Sequence, residues 1–309
     1  MSQAHELLAI ADWLGSTKRT GVELGPPALA RLLCDPGGPG PTVSGRHWEI
    51  HIPEPDPRHA AGEYERTKYL PEIASLCRDA HAAVRSVYDA GRIPIAVVGN
   101  DSAMMGVLSG VAVARGPNVG VAWWDAHGDI NTPATSPSGK LYGMPLAHLL
   151  GHGDERLLAL NPGERALDPD NVVLMGARCL DEGELSLIEQ LGVGHYTSAA
   201  LMQAAAPDGV VEAVTRRWRS RDVVELWVHL DLDVLDPALS PGVSMHEPDG
   251  LSPAWVRDVM RGLFASGLRL AGLSVSEYNP AMDRGDITRD IALGVIGDFI
   301  AASAGLARD

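Results

Sequence analysis

Carboxylates and one imidazole recur in this chain at a spacing suited to metal ions. The stretches concerned are Asp125-Ala-His127-Gly-Asp129, Asp231-Leu-Asp233 with Asp236-Pro237 just after it, and Gly99-Asn100-Asp101-Ser102. On an extended or turning segment alternate side chains point the same way. Asp125, His127 and Asp129 therefore face one cavity, and Asp231 and Asp233 repeat the arrangement on another strand. Such groups, brought together and buried, cannot all stay charged and unpaired. One or two divalent cations would resolve the conflict. Oxygen-rich ligation with some imidazole favours Mn²⁺ or Mg²⁺ over a structural zinc. A carboxylate can bridge two ions, and a paired site of that kind generates hydroxide from water near neutral pH. Helix capping accounts for any one of these aspartates, but for neither the histidine nor the paired spacing.

Each stretch follows an apolar, β-branched run: residues 93–98, 119–124 and 223–230. Runs of that kind read as buried strands. The polar groups then sit at strand C-terminal ends, where open parallel sheets bind ligands. Further strands are expected at 48–52, 171–175 and 268–275. Helical spacing fills 67–90, 103–115, 181–191, 207–220, 252–266 and 289–304. This alternation predicts an α/β fold, with a parallel sheet and helices on both faces. There is no internal repeat, and the Gly/Pro-rich stretch 35–41 reads as a surface loop, so residues 1–309 are expected to form one catalytic domain. The long polar loops 125–141 and 237–251 are of a length that in compact domains usually serves function.

Composition narrows the partners. The chain has 309 residues, 45% of them hydrophobic, and a formal net charge of −15. With no basic cluster, neither nucleic acid nor an anionic membrane suits this surface; a cationic substrate or a metal does. No signal peptide or 18-residue apolar run is present. Cys34, Cys77 and Cys179 are odd in number and far apart. They imply no disulfide framework, and a cytoplasmic location is expected.

Taken together, these motifs resemble the arginase (ureohydrolase) family. The likeness runs from Gly21-Val-Glu-Leu-Gly-Pro26 to Ser276-Glu277-Tyr-Asn279-Pro280. It implies a three-layer α/β/α sandwich around a mostly parallel sheet, with a two-manganese site at the sheet's C-terminal ends. It also implies specific roles. Asp125 and Asp231 match bridging aspartates, His127 and Asp233 the remaining ligands of one metal, and Asp129 a ligand of the other. Glu277 matches the glutamate that pairs with the substrate guanidinium, a planar cation suited to a carboxylate. The loop 129–139 resembles arginases more than agmatinases: Asn131, Ser136 and Ser138 match side chains that hold an amino-acid carboxylate. Asp181 matches the aspartate that receives the α-amino group. Homo-oligomers are common in the family.

Two departures from the family pattern stand out. Gly-Gly-Asp-His-Ser reads here Gly99-Asn100-Asp101-Ser102-Ala103, so Ser102 stands at a histidine metal ligand and that metal is expected to bind weakly. Tyr142 stands where arginases carry a proton-shuttling histidine, and a phenol of pKa about 10 is a poor shuttle at neutral pH. The expected activity is manganese-dependent hydrolysis of a guanidino amino acid, with Glu277, Asp129 and Tyr142 at the reacting groups. Arginine is the first candidate, and the departures favour a derivative such as N-hydroxy-arginine. The alternative is a degraded relative that binds an amino acid or a partner without hydrolysis. Among other residues, His246 and Glu247 are expected at a solvated loop tip, His148 and His152 as core or surface histidines, His229 as a hydrogen bonder behind Asp231, and Cys179 as a small buried residue.

Overall fold

Eight strands build one sheet in the computed structural model, which describes residues 4–14, 21–43, 47–204 and 206–306. They are β1 (His5–Ala11), β2 (His47–His51), β3 (Ile93–Val98), β4 (Val119–Trp124), β5 (Val172–Gly176), β6 (Gly194–Thr197), β7 (Glu225–Asp231) and β8 (Arg269–Ser276). All pair in parallel, in the order β2-β1-β3-β8-β7-β4-β5-β6. Parallel strands need crossovers that place helices on the sheet faces. That is why β3, β4, β5 and β7 are buried along their whole length.

The helices are α1 (Gly25–Leu33), α2 (Leu70–Asp89), α3 (Met104–Arg115), α4 (Pro145–Leu149), α5 (Glu155–Leu158), α6 (Glu182–Leu191), α7 (Ser198–Met202), α8 (Pro207–Arg219), α9 (Pro253–Phe264) and α10 (Ile287–Leu306). They divide between two apolar layers. One face packs α1, α8, α9 and α10 through residues such as Leu29, Trp218, Met260 and Phe299. The other packs α2, α3, α4 and α6 through Val84, Leu108, Leu146 and Leu187. The result is the three-layer α/β/α architecture. Local signals agree with it: α6 opens on a capping box of Asp181 and Glu184 and closes at Gly192 in the left-handed region.

The four middle strands, β3-β8-β7-β4, matter most for the site. After β3 the chain crosses three places to β4, and β7 and β8 later fill the gap. A change of winding direction of this kind leaves a crevice above the strand ends. Asp101, Asp125, Asp231 and Glu277 all stand at those ends.

Candidate active site

Backbone contacts aim the side chains. A Cβ on Gly99 would lie 1.9 Å from the carbonyl oxygen of Asp12, so only glycine lets β3 end against that segment. Asn100 then anchors the turn: its amide donates to Leu14 O (3.0 Å) and its side-chain oxygen accepts from Ser102 N (3.0 Å). Asp101 faces inward as a consequence, with Oδ1 2.9 Å from His229 Nε2. The His229 ring packs against Trp123 at a tilt of 49°, 4.1 Å between centroids, and its Nδ1 meets Ser274 Oγ at 2.8 Å. On β4 and β7 the aspartates brace one another's turns. His127 N donates to Asp125 Oδ1 (2.7 Å), Asp233 N to Asp231 Oδ1 (2.7 Å), and Ala126 N to Asp233 Oδ1 (3.1 Å).

These residues converge on one cavity, whose wall includes Asp101, His127, Asp129, Tyr142, Asp231, Asp233 and Glu277. Two ligand-like groupings share Asp125. One is Asp101, Asp125 and Asp231; the other is Asp125, His127 and Asp233. His127 Nδ1 lies 3.1 Å from Asp233 Oδ2 and 3.3 Å from Asp125 Oδ1. Burial alone would depress the imidazole, but Asp233 and Asp125 outweigh it and raise its pKa above the usual histidine range. The same ring holds Asp233 below the usual carboxylate value despite burial. Burial and neighbouring carboxylates push Asp129, Asp231 and Glu277 well above it. Asp129 (φ 52°) and Glu277 (φ 61°) sit in the left-handed region, where non-glycine residues are uncommon. Such strain collects at functional sites.

Ser102 does not join this group, which corrects its expected place as a ligand. It is fully buried, and its hydroxyl lies against Asp12 Oδ2 and Asn100 Oδ1. Burial pushes the Asp12 carboxyl up to about 7. Asp101 occupies the cavity position instead. Read one residue earlier, the family motif would put Asn100 at the capping residue and Asp101 at the histidine. The signal for Asp101 is its place just after a strand end and the capping residue Asn100.

The expected substrate handles lie in the loop after Asp129. Asn131 Nδ2 donates to Asp181 Oδ2 (2.9 Å), and Thr135 Oγ1 donates to Asn131 Oδ1 (2.9 Å). Ser136 and Ser138 hydroxyls are 3.5 Å apart. None of Asn131, Ser136, Ser138 or Asp181 is among the residues that line the cavity. Glu184 ties this loop to α6, accepting from Ile130 N (3.3 Å) and Asp181 N (2.9 Å).

Glu247 and Cys179 fall differently from expectation, whereas His246 and His148 fall as expected. Glu247 is partly covered and reaches within 3.6 Å of His127 Nε2. Arg178 holds its segment, donating to the carbonyls of Glu247 (3.0 Å) and Pro248 (2.7 Å). His246 stays exposed and turns to Pro241 O. Cys179 is exposed rather than buried. His148 is a buried structural histidine between Met144 O and Asp154 N.

The arginase family model matches residues 7–301. The chain belongs to the arginase family. Curated relatives include an arginase of Brevibacillus brevis, 34% identical over 96% of this chain and 97% of its own length. Among solved structures, arginase of Bacillus caldovelox aligns with a TM-score of 0.86 at 30% identity, covering 96% of this chain and 98% of that one. Entamoeba histolytica arginase, solved in complex with L-ornithine, aligns at 0.83 and 27% identity, covering 97% and 99%. The chain is thus a hydrolase of the ureohydrolase family with the family's α/β fold.

Proposed function

We propose that this arginase-family hydrolase uses two Mn²⁺ ions to cleave the guanidino group of a free α-amino acid. Arginine would give urea and ornithine, and N-hydroxy-arginine would give hydroxyurea and ornithine. The observation that carries this reading is the convergence of Asp101, Asp125, His127, Asp129, Asp231, Asp233 and Glu277 at the ends of four adjacent strands.

The donor set suits hard divalent ions: all oxygen around Asp101, oxygen with one nitrogen around His127. Asp129 Oδ2 is buried without a hydrogen-bond partner, as a ligand awaiting an ion would be. Asp101, Asp125, Asp129 and Asp231 would hold one ion and Asp125, His127, Asp231 and Asp233 the other. Bound there, manganese would supply Lewis-acid charge and lower the pKa of a water molecule.

The remaining steps belong to the protein. Glu277 is buried among carboxylates that disfavour its charge. A guanidinium beside it restores that charge and gains a paired hydrogen bond, which orients the carbon for attack. Asp129 takes the proton released by the attacking water and passes it to the departing amine. Asn131, Ser136, Ser138 and Asp181 receive the α-carboxylate and α-amino groups. Tyr142, in the cavity wall with its pKa raised by burial, donates a hydrogen bond without cycling a proton.

The test offers manganese-loaded protein arginine, N-hydroxy-arginine and agmatine, and measures urea, hydroxyurea and amine. Release from at least one amino-acid substrate is expected. Agmatine, which lacks the carboxylate, should be processed about a hundredfold worse or less efficiently still, because the handles are then left unpaired. No release from any of the three would overturn the reading. Equal rates on agmatine would remove the role given to the loop.

A further inference from the structure

His127 has two ring nitrogens, and the candidate active site uses only one. Nδ1 faces Asp125 and Asp233, whereas Nε2 is buried without a hydrogen-bond partner. Around Nε2 stand Glu247 Oε1 at 3.6 Å and the thiol of Cys179. The three donor atoms lie within 4.8 Å of one another. We propose that His127 Nε2, Cys179 Sγ and Glu247 form a separate site for a thiophilic divalent ion such as Zn²⁺ at the rim of the cavity.

The backbone builds this arrangement. Arg178 N and Cys179 N both donate to Ala126 O (2.8 and 2.9 Å), so residues 127 and 179 run side by side as a parallel bridge. Arg178 also grips the carbonyls of Glu247 and Pro248, bringing the 245–249 loop over the same spot. All three residues are thus tied to one guanidinium and one peptide segment. Tetrahedral zinc, with bonds of about 2.0–2.3 Å, wants its ligand atoms about 3.3–3.8 Å apart. The 3.6 Å between Nε2 and Oε1 falls in that range. Water can take the fourth position, because Cys179 is exposed.

The donor set separates this site from the neighbouring carboxylate groupings. Those contain no sulfur, and thiolate selects soft ions over Mn²⁺. Binding releases the thiol proton and any proton on Nε2 to solvent. An ion here would share the His127 ring with the candidate active site and narrow its mouth, so it would slow hydrolysis.

The experiment titrates Co²⁺ into manganese-loaded protein and follows the near-ultraviolet thiolate-to-cobalt charge-transfer band. One equivalent of band is expected, and Zn²⁺ should bleach it. Cys179→Ser should abolish it, while Glu247→Gln should weaken cobalt binding on the order of tenfold. Cys179 is exposed, so its serine variant should fold and keep its manganese, which metal analysis checks. Cobalt uptake without a thiolate band would overturn the proposal. So would a band that survives in Cys179→Ser, since it would then arise from Cys34 or Cys77.

Discussion

The carboxylate of Asp101 and the hydroxyl of Ser102 leave adjacent residues in different directions, one into the cavity and the other onto Asp12. Replacing them should therefore have unlike effects. Asp101→Asn should lower manganese retention by at least about tenfold and turnover with it. Ser102→Ala should leave the bound manganese unchanged, and Ser102→His should not raise it, because an imidazole there meets Asp12 in a filled interior. Metal content after gel filtration decides the matter; higher retention in Ser102→His would restore Ser102 to the site. This is where the sequence was hardest to read. Asp125, His127, Asp231 and Asp233 announce themselves by alternation, whereas the 99–103 motif can be aligned in two registers and only the turn made by Asn100 chooses between them. Tyr142 raises a separate question. Burial raises the pKa of its phenol, so it stays protonated across the neutral range. Tyr142→Phe should cost less than the roughly hundredfold expected for a true acid–base group. Comparing arginine and N-hydroxy-arginine in Tyr142→His then asks whether the tyrosine sets their ratio; a collapse of activity in Tyr142→Phe would mean that its hydroxyl carries a proton after all.

Elements with long periodic patterns were legible, and elements set by tertiary context were not. α2, α6, α8 and α9 fall within a few residues of their expected spans because apolar spacing and caps mark them. β1 was missed: its Leu-Leu-Ala core reads as helix-compatible, and only pairing with β2 and β3 makes it a strand. β6 is a four-residue polar edge with too little pattern to see. α1 hides behind Gly25-Pro26-Pro27, although proline suits a first turn. One contact between elements makes a pH prediction. Arg257 and Arg261 on α9 both grip Asp298 on α10, with Nε–Oδ2 distances of 2.5 and 2.8 Å. These hydrogen bonds outweigh burial and lower the pKa of the Asp298 carboxyl. A depressed carboxylate pKa adds stability that is present above its unfolded value, about 3.9, and is lost as the pH falls below that. Both arginines are partly exposed, so solvent screens the pairs and their contribution is small. Asp298→Asn should lower Tm at pH 7 by about 2 °C. The difference should shrink as the pH falls below that unfolded value. A difference that persisted undiminished at pH 2 would mean that packing, not charge, is what the substitution disturbs.

At the scale of the whole molecule the fold places its most costly groups at its centre. The chain carries a net charge of −15, and Asp101, Asp125, Asp129, Asp231 and Asp233 are all at most 4% exposed. Without cations, burial and mutual repulsion disfavour the charged forms of Asp125, Asp129 and Asp231. That cost falls on the folded chain alone, because the unfolded chain ionises these groups freely. A ligand that binds only the folded state adds RT ln(1 + [L]/Kd), about 2.7 kcal/mol for each site at a hundred times its Kd. Two manganese ions at that excess should therefore raise Tm by roughly 10 °C for a chain of this size. Chelation should reverse the gain. Asp101→Asn should lose about half of it, while Asp298→Asn, remote in sequence and outside the cavity wall, should keep all of it. Thermal scans of the stripped and reloaded proteins at pH 7 measure these differences directly. A Tm indifferent to manganese would mean that the aspartates at these strand ends are held by something other than metal, and the hydrolytic reading would fall with them.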